Sequence, residues 1–519
     1  MAISNPSVNI QILPATQVAQ NEAQKILFLG QKLAAGTAPA GDLVENIDNS
    51  NEQNTLFGEG SILATMITAA KAYNKISRFD AIPIDDDGSA NDATGVVAFS
   101  GAPTAAGSIL ITIGSELNHT YTVSIVTTDT PTTIGDKLVT LITADTSCPV
   151  TAVNVTGTVT LTAKNGGLEG NFISLRYSGT VAGVTTTLTA FSGGANNPSL
   201  DNVLDVVANL RYQTIVFPST YLINDTNNNI ITFLNNRFNI SGDKILDGVG
   251  IMAVTDTEAN LKAATYGNNS QNVTFIANRT VPTDAARKGS SLVELDYVIA
   301  SQFAAIRALR LTTDAPIANY VYASQSANDN YGGIHISTLP YHNTPFVNLP
   351  LIDNDLMWLD SERSELKEAG WTILGNNVGN TSIIADSVVT RYKQDAAGDT
   401  DLSYKYLNYV DQASNVREYF HNNLKTAFRQ TRLSLGDLVP GYNMANEGII
   451  RSECMKLYAE LADLALVPAG ETAIKLFRDN LTITITEIEG KVTIVMLDPV
   501  VTQLRQIVAT MQLTFSLNS

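Results

Sequence analysis

Hydrophobic and polar residues alternate with two different periods along this chain, and the changes of period divide it. Leu481, Ile483 and Ile485 alternate with Thr482, Thr484 and Thr486, the period-2 pattern of a strand with one covered face. Glu489 and Gly490 can turn the chain, and Val492 and Ile494 continue the alternation in KVTIVML, so a hairpin is expected. A further alternation sets Ile507, Ala509, Met511, Leu513 and Phe515 against Gln506, Thr510, Gln512 and Thr514. At the other end Val8, Ile10 and Ile12 alternate with Asn9 and Gln11 before Pro14 interrupts. A three-point apolar face is too short for a core of its own, so residues 1–24 are read as an arm. The arm either adds to an edge of its own domain or is lent to a neighbouring copy. Edge strands carry unpaired N–H and C=O groups that proteins cap or use for assembly. Here they are read as used, in a protein that works by polymerising.

Between these ends the pattern is that of strands alternating with helices. KILFLG (Lys25–Gly30) is a continuous apolar run of the buried-strand type. Ser61 can cap a helix with Ile62, Met66, Ala69, Ala70 and Tyr73 at helical spacing, and Phe79–Ile84 reads as a second strand. From about Ala93 to Asn197 the chain turns Thr- and Gly-rich, with seven short alternating runs and one helical stretch, TTIGDKLVTLITAD. Short strands at such close spacing signal a β-sandwich. Beyond it the pattern predicts helix LDNVLDVVANL, strand YQTIVFP, helix NNNIITFLNNRF, strand GVGIMAV, helix TEANLKAATYG and strand NVTFIAN. A long helix over Asp284–Leu311 and the helix NDLMWLDSERSELKEAG follow. The last part carries a helix from Asn415 to Arg432 and another with Ile450, Cys454, Leu457, Leu461 and Leu464 on one face.

The fold expected is an α/β core with an inserted all-β, sandwich-like domain and an α+β C-terminal domain with extended terminal arms. Its parts are an arm at 1–24, a discontinuous core at 25–92 and 198–386, the β insertion at 93–197, the C-terminal domain at 387–503 and a terminal strand at 504–519.

An apolar fraction of 44% with 16% charged residues supports packed cores rather than disorder. The formal charge, 32 − 50 = −18, argues against direct nucleic-acid contact, which needs Lys and Arg to neutralise phosphates. Two cysteines, Cys148 and Cys454, offer neither a disulfide framework nor zinc spacing. The first residues lack the basic and apolar regions of a secretion signal, and no apolar run reaches the ~18–20 residues of a membrane span.

Catalytic motifs are missing. No phosphate-cradling G-x-x-x-x-G-K-[ST] and no G-x-S-x-G elbow occurs, and Gly58-Glu59-Gly60-Ser61 meets Leu63 where a dinucleotide fingerprint needs glycine. Asp85, Asp86 and Asp87 are consecutive, so their carboxylates diverge and do not make a calcium loop. The histidines His119, His335, His342 and His421 have no metal-binding spacing. The chain is therefore read as no enzyme and without cofactor or metal. An adhesin or non-contractile particle protein with a sugar-binding β domain is the alternative, and a decorated hydrolase a more distant one.

The order of parts resembles the contractile-tail sheath proteins of bacteriophages, of the Mu-like type. FGEGSILATMITAAKAYNKISRFDAIPIDDDG before the β insertion, TAFSGGANNPSLDNVLDVVANLRYQTIVFP after it, and the stretch from GIIRSECMKLYAELADLALV to DPVVTQLRQIVATMQLTF carry the resemblance. It implies a virion tail protein, assembled in the host bacterial cytoplasm. Such a protein polymerises helically, as stacked hexameric rings, around a tail tube and contracts to drive the tube through the host envelope. It implies as partners other copies of the chain, the tube protein, and baseplate and terminator proteins. It also implies strand exchange between subunits, carried by Val8, Ile10, Ile12, Ile483, Ile485, Val492, Ile494, Ile507, Ala509, Met511, Leu513 and Phe515.

Overall fold

The computed structural model describes residues 24–501 apart from 48–50, 224–228, 239–244, 282–283, 314–340, 342–343, 347, 437–442, 464–465, 487–489, 498 and 500. The described residues form two compact units, Gln24–Thr312 with Leu339–Asp411, and Gln412–Val501. Mixed α/β structure with several sheets is what the periodicity predicts.

The larger unit is built on an eight-stranded sheet. Its strands lie in the order Pro345–Phe346, Ile383–Ala385, Trp371–Asn376, Val273–Arg279, Val249–Asp256, Thr214–Val216, Lys25–Gln31 and Arg78–Ile84. The last six are parallel, and at one edge Ile383–Ala385 runs antiparallel to both of its neighbours, Trp371–Asn376 and Pro345–Phe346. Along Lys25–Gln31, Ile26 and Phe28 enter one core while Leu27 and Leu29 enter the other. Covering both faces is why this strand reads as an unbroken apolar run. Helices Ile62–Tyr73 and Asp296–Thr313 supply the first core, and Asn229–Phe238, Glu258–Ala263 and Asp360–Glu368 the second.

Each of the seven Thr-rich runs forms a strand. One antiparallel sheet has the order Val150–Val155, Thr158–Ala163, Thr94–Gly101, Val184–Ser192; the other has Arg287–Lys288, Leu175–Ser178, Gly107–Ile113, Thr120–Ile125. Val97, Phe99, Ile111, Val159 and Leu161 are buried with Ile134 and Leu138 of the helix Pro131–Ala144. That helix starts on a reciprocal cap, Thr133 N–H donating to Thr130 Oγ1 at 3.3 Å and Thr130 N–H to Thr133 Oγ1 at 2.8 Å.

Polar bonds tie this module to the parallel sheet. The Asp86 carboxylate accepts from Gln31 Nε2 at 2.5 Å, Asn165 Nδ2 at 3.0 Å and Gly166 N–H at 2.8 Å. Ser115 Oγ donates to Glu294 at 2.7 Å and Thr220 Oγ1 to Glu169 at 2.9 Å. Burial pushes the Glu294 carboxyl up to about 8; it does the same for Glu169, helped by the charge of Asp296.

Three expected helices of this unit differ. LDNVLDVVANL is a set of turns with only a 3-10 segment, Asp205–Val207. Asn202 has a left-handed φ of 62°, which an α-helix does not allow, and the buried Arg237 guanidinium donates to the Val207, Ala208 and Leu210 carbonyls and holds the turns in place. The helix predicted over Asp284–Leu311 begins at Asp296, because Arg287–Lys288 pairs as a strand with Leu175–Arg176 and Gly289 turns the chain at φ 105°. NDLMWLDSERSELKEAG breaks into Asn354–Leu356 and Asp360–Glu368, separated by extended Met357 and Leu359.

Residues 387–411 belong to the larger unit. There a buried cluster fixes the start of the helix Leu407–Ala427: Asp411 accepts from the Arg307 guanidinium and, at 2.7 Å, from the Tyr341 hydroxyl. The helix carries the chain into the smaller unit, and begins and ends earlier than the Asn415–Arg432 expected. The smaller unit contains helices Glu447–Asp463 and Glu471–Asn480, the short parallel pair Arg432–Leu433 with Met444–Ala445, and a hairpin. Glu471–Asn480 was not among the expected helices, although Ile474 and Phe477 stand at helical spacing after Gly470.

Candidate assembly site

Four of the residues expected in shared strands lie in one hairpin. Thr482–Thr486 pairs antiparallel with Lys491–Val495, setting Ile483 opposite Ile494 and Ile485 opposite Val492. Residues directly opposite point to the same side, so the four make one apolar face. Gly490, at φ 60°, adopts the left-handed turn conformation that its lack of a side chain permits.

That face packs on the unit's helices. Ile483 is buried, and Ile485, Val492 and Ile494 are half-buried against a core of Ile450, Cys454, Leu457, Leu461 and Phe477. Phe477 stacks on Tyr458 with ring centres 4.4 Å apart, and Tyr458 donates its hydroxyl to the Pro468 carbonyl at 3.0 Å. Arg451 donates to the Leu481 carbonyl at 2.8 Å, fixing the point where helix gives way to strand. Sequence reasoning missed Arg451, Tyr458 and Phe477 as supports; the helical spacing of Phe477 is the one signal that points to any of them.

The other face exposes Thr482, Thr484, Thr486, Lys491, Thr493 and Val495. Among the described residues no third strand joins the hairpin, so each strand has one edge without a ladder partner. A two-stranded sheet is marginal by itself, and its open edges are templates for another strand. Val495 and Leu497, 59% and 50% exposed, add apolar surface beside one edge. Val8, Ile10, Ile12, Ile507, Ala509, Met511, Leu513 and Phe515 lie outside the described residues.

Titratable groups of the β module meet in a partly buried hydrogen-bonded cluster. His119 Nδ1 lies 2.9 Å from Asp145, to which Tyr121 donates its hydroxyl at 2.8 Å. Burial opposes ionisation of Asp145, but hydrogen bonds from Ser147, His119 and Tyr121 outweigh it and bring the carboxyl down to about 2. Burial pushes the Cys148 thiol up, which leaves it protonated and unreactive. Glu169, Glu294 and Asp296 are buried. Of the acidic run, Asp85 pairs with Lys32 at 3.4 Å, Asp86 serves the junction, and Asp87 accepts from Ser89 N–H and Oγ. Among the described residues no group of three His, Cys, Asp or Glu is placed to hold a metal ion, and no helix is long and apolar enough to cross a membrane.

No protein-family model matches the chain. It is 29% identical over 454 residues to the Mu-like prophage FluMu tail sheath protein of Haemophilus influenzae, covering 85% of this chain and 84% of that one. Among solved structures it is similar to the sheath tail protein Lin1278 of Listeria innocua, with TM-score 0.42 and 11% identity over 93% of this chain and 96% of that one. It is also similar to the contracted helical sheath of the anti-feeding prophage, with TM-score 0.44 and 10% identity over 98% and 99%. A chain of that particle's contracted baseplate gives TM-score 0.46 and 10% identity over 100% of both. The relative from Haemophilus bears out the resemblance to Mu-type tail sheath proteins.

Proposed function

We propose that this chain is the structural subunit of a contractile tail sheath and not an enzyme. The observation that carries the reading is its similarity to a tail sheath protein across most of both chains. In this reading copies polymerise helically around a tail tube, bounded by baseplate and terminator proteins, in a virion tail assembled in the host bacterial cytoplasm. Contraction drives the tube through the host envelope during genome ejection. The chain divides by function into arms at 1–24 and 504–519, a core at 25–92 and 198–411, a β insertion at 93–197 and an assembly domain at 412–503, its start moved from 387 because residues 387–411 pack with the larger unit.

The hairpin supports a physical account of the polymer. Its apolar face is anchored on helices, whereas among the described residues neither of its edges carries a further strand. Strands lent by neighbours, carrying Val8, Ile10 and Ile12 or Ile507 to Phe515, would complete a small sheet through many directional backbone bonds. Such bonds hold neighbours together while the subunits rotate between two lattice packings. A small free-energy difference per subunit, summed over a long polymer, drives a large movement without nucleotide hydrolysis. The test removes residues 1–14 or 504–519. The truncated proteins are expected to keep the unfolding profile of the full chain and to form no tubes by negative-stain microscopy. Tubes of normal length from both truncations would overturn strand exchange.

A further inference from the structure

Among the described residues the β module's sheet of Val150–Val155, Thr158–Ala163, Thr94–Gly101 and Val184–Ser192 ends in two edge strands with no charged residue of their own; beside one of them the Asp136 carboxylate accepts from Asn154 Nδ2 at 2.7 Å. The edge strands read VTAVNV and VTTTLTAFS, and among the described residues neither has a strand on its outer side. Soluble proteins normally guard such edges with Lys, Pro, inward charges or bulges. Here a register irregularity near the Ser192 end leaves Val184–Thr189 regular, and on the other edge helix Pro131–Ala144 packs beside Asn154 while Val153 and Val155 stay outside it. On the opposite edge Val153 and Val155 are each 63% exposed. Across the outer face the row Val153, Thr160, Val96, Thr189 holds hydroxyls and methyls only.

The charge pattern says what fits these edges. The chain carries 50 acidic against 32 basic residues. A basic partner would be met by some of that acidity, whereas a second copy, equally acidic, can approach only where neither surface presents charge. One edge of each kind also permits head-to-tail pairing, in which a single contact type satisfies both edges and propagates. No aromatic side chain stands on the outer face to stack on a sugar, so glycan capture finds no support there.

We propose that the edge strand Val150–Val155 of one copy docks beside Val184–Ser192 of the next, giving the polymer a second set of lateral contacts made by its β modules. One strand pair of about six residues is only ~20 Å long, too small to hold free copies together. The contact therefore forms between copies already brought close by others, and it rests on the polymer reading above.

The test uses the full chain. With Lys at both edges, Val153→Lys with Thr187→Lys, like charges meet in every contact, and the critical concentration for tube growth is expected to rise about fivefold to tenfold. With opposite charges, Val153→Glu with Thr187→Lys, tubes should form within about twofold of the unaltered protein. Thermal unfolding of the dissociated proteins checks that neither pair disturbs the fold. If the Lys pair does misfold, Val153→Cys with Thr187→Cys replaces it: a short bismaleimide should give a ladder of multimers from tubes, and monomer alone overturns the proposal. Equal weakening of both charge pairs, or no weakening by the Lys pair, also overturns it. Failure of the unaltered chain to form tubes would instead remove the polymer reading itself.

Discussion

The strand Lys25–Gln31 and the strand Thr482–Thr486 stand at opposite extremes of what a strand can have around it. The first has parallel neighbours on both sides and apolar cores on both faces. Among the described residues the second has one antiparallel neighbour, one face on helices and the other exposed. In the first the fold itself satisfies the backbone and the side chains. In the second, no described strand pairs one row of N–H and C=O groups. The difference teaches where the fold's own stability is complete: a strand paired and covered inside its own unit is a scaffold, and the half-complete one is where the proposed assembly contact would fall.

That contrast can be broken at its strong side first. Phe28→Ala, at a fully buried position of the parallel sheet, is expected to cost about 3–5 kcal/mol in urea unfolding of the dissociated protein. Asp411→Ala, which leaves the buried Arg307 charge without its carboxylate, should cost about as much, about 3–5 kcal/mol by the same measurement.

The buried carboxylates come next. Burial, with the charge of Asp296 in the case of Glu169, holds Glu169 and Glu294 at about 8, against 4.5 for the free side chain. Folding thus retains protons that the unfolded chain has released. The stability is full below about pH 4.5 and declines as pH rises towards 8. Melting temperatures measured from pH 5 to pH 8.5 should fall, and Glu169→Gln should flatten the fall. A flat profile in the unaltered protein would mean that these carboxyls ionise at their usual pH.

At the weak side, Ile483→Ala is expected to cost about 2 kcal/mol, the low end for a buried isoleucine, because the hairpin's face is only partly enclosed. The smallest effect sharpens the comparison most. Thr493→Lys, on the exposed face of the hairpin, should change unfolding by no more than about 0.5 kcal/mol. Any larger effect on tube length seen by microscopy would then report the assembly contact alone.

Much of the architecture was legible. The alternating Thr-rich runs became strands because period 2 with one covered face leaves a clear trace, and Ser61 caps its helix, accepting from Ala64 N–H at 3.1 Å. The paired faces of Ile483, Ile485, Val492 and Ile494 were legible for the same reason. The strand Trp371–Asn376 was not expected, since a short apolar run buried on both faces has no period to read. LDNVLDVVANL has helical spacing and yet forms turns: Asn202 takes a left-handed φ of 62°, and Arg237, about thirty residues away, holds the Val207, Ala208 and Leu210 carbonyls.

The sequence by itself determined the local alternation, the turns that need glycine, the caps and the acidity that keeps free copies apart. Only the tertiary structure decided which strands have two neighbours and which have one, that Arg287–Lys288 joins a sheet of the distant β module, and where Arg307, Tyr341 and Asp411 meet. The physical reason is range. Periodicity and turn preference act over a few residues, whereas a strand's second neighbour and a buried charge's partner are set by segments far apart in the chain, brought together when the cores close.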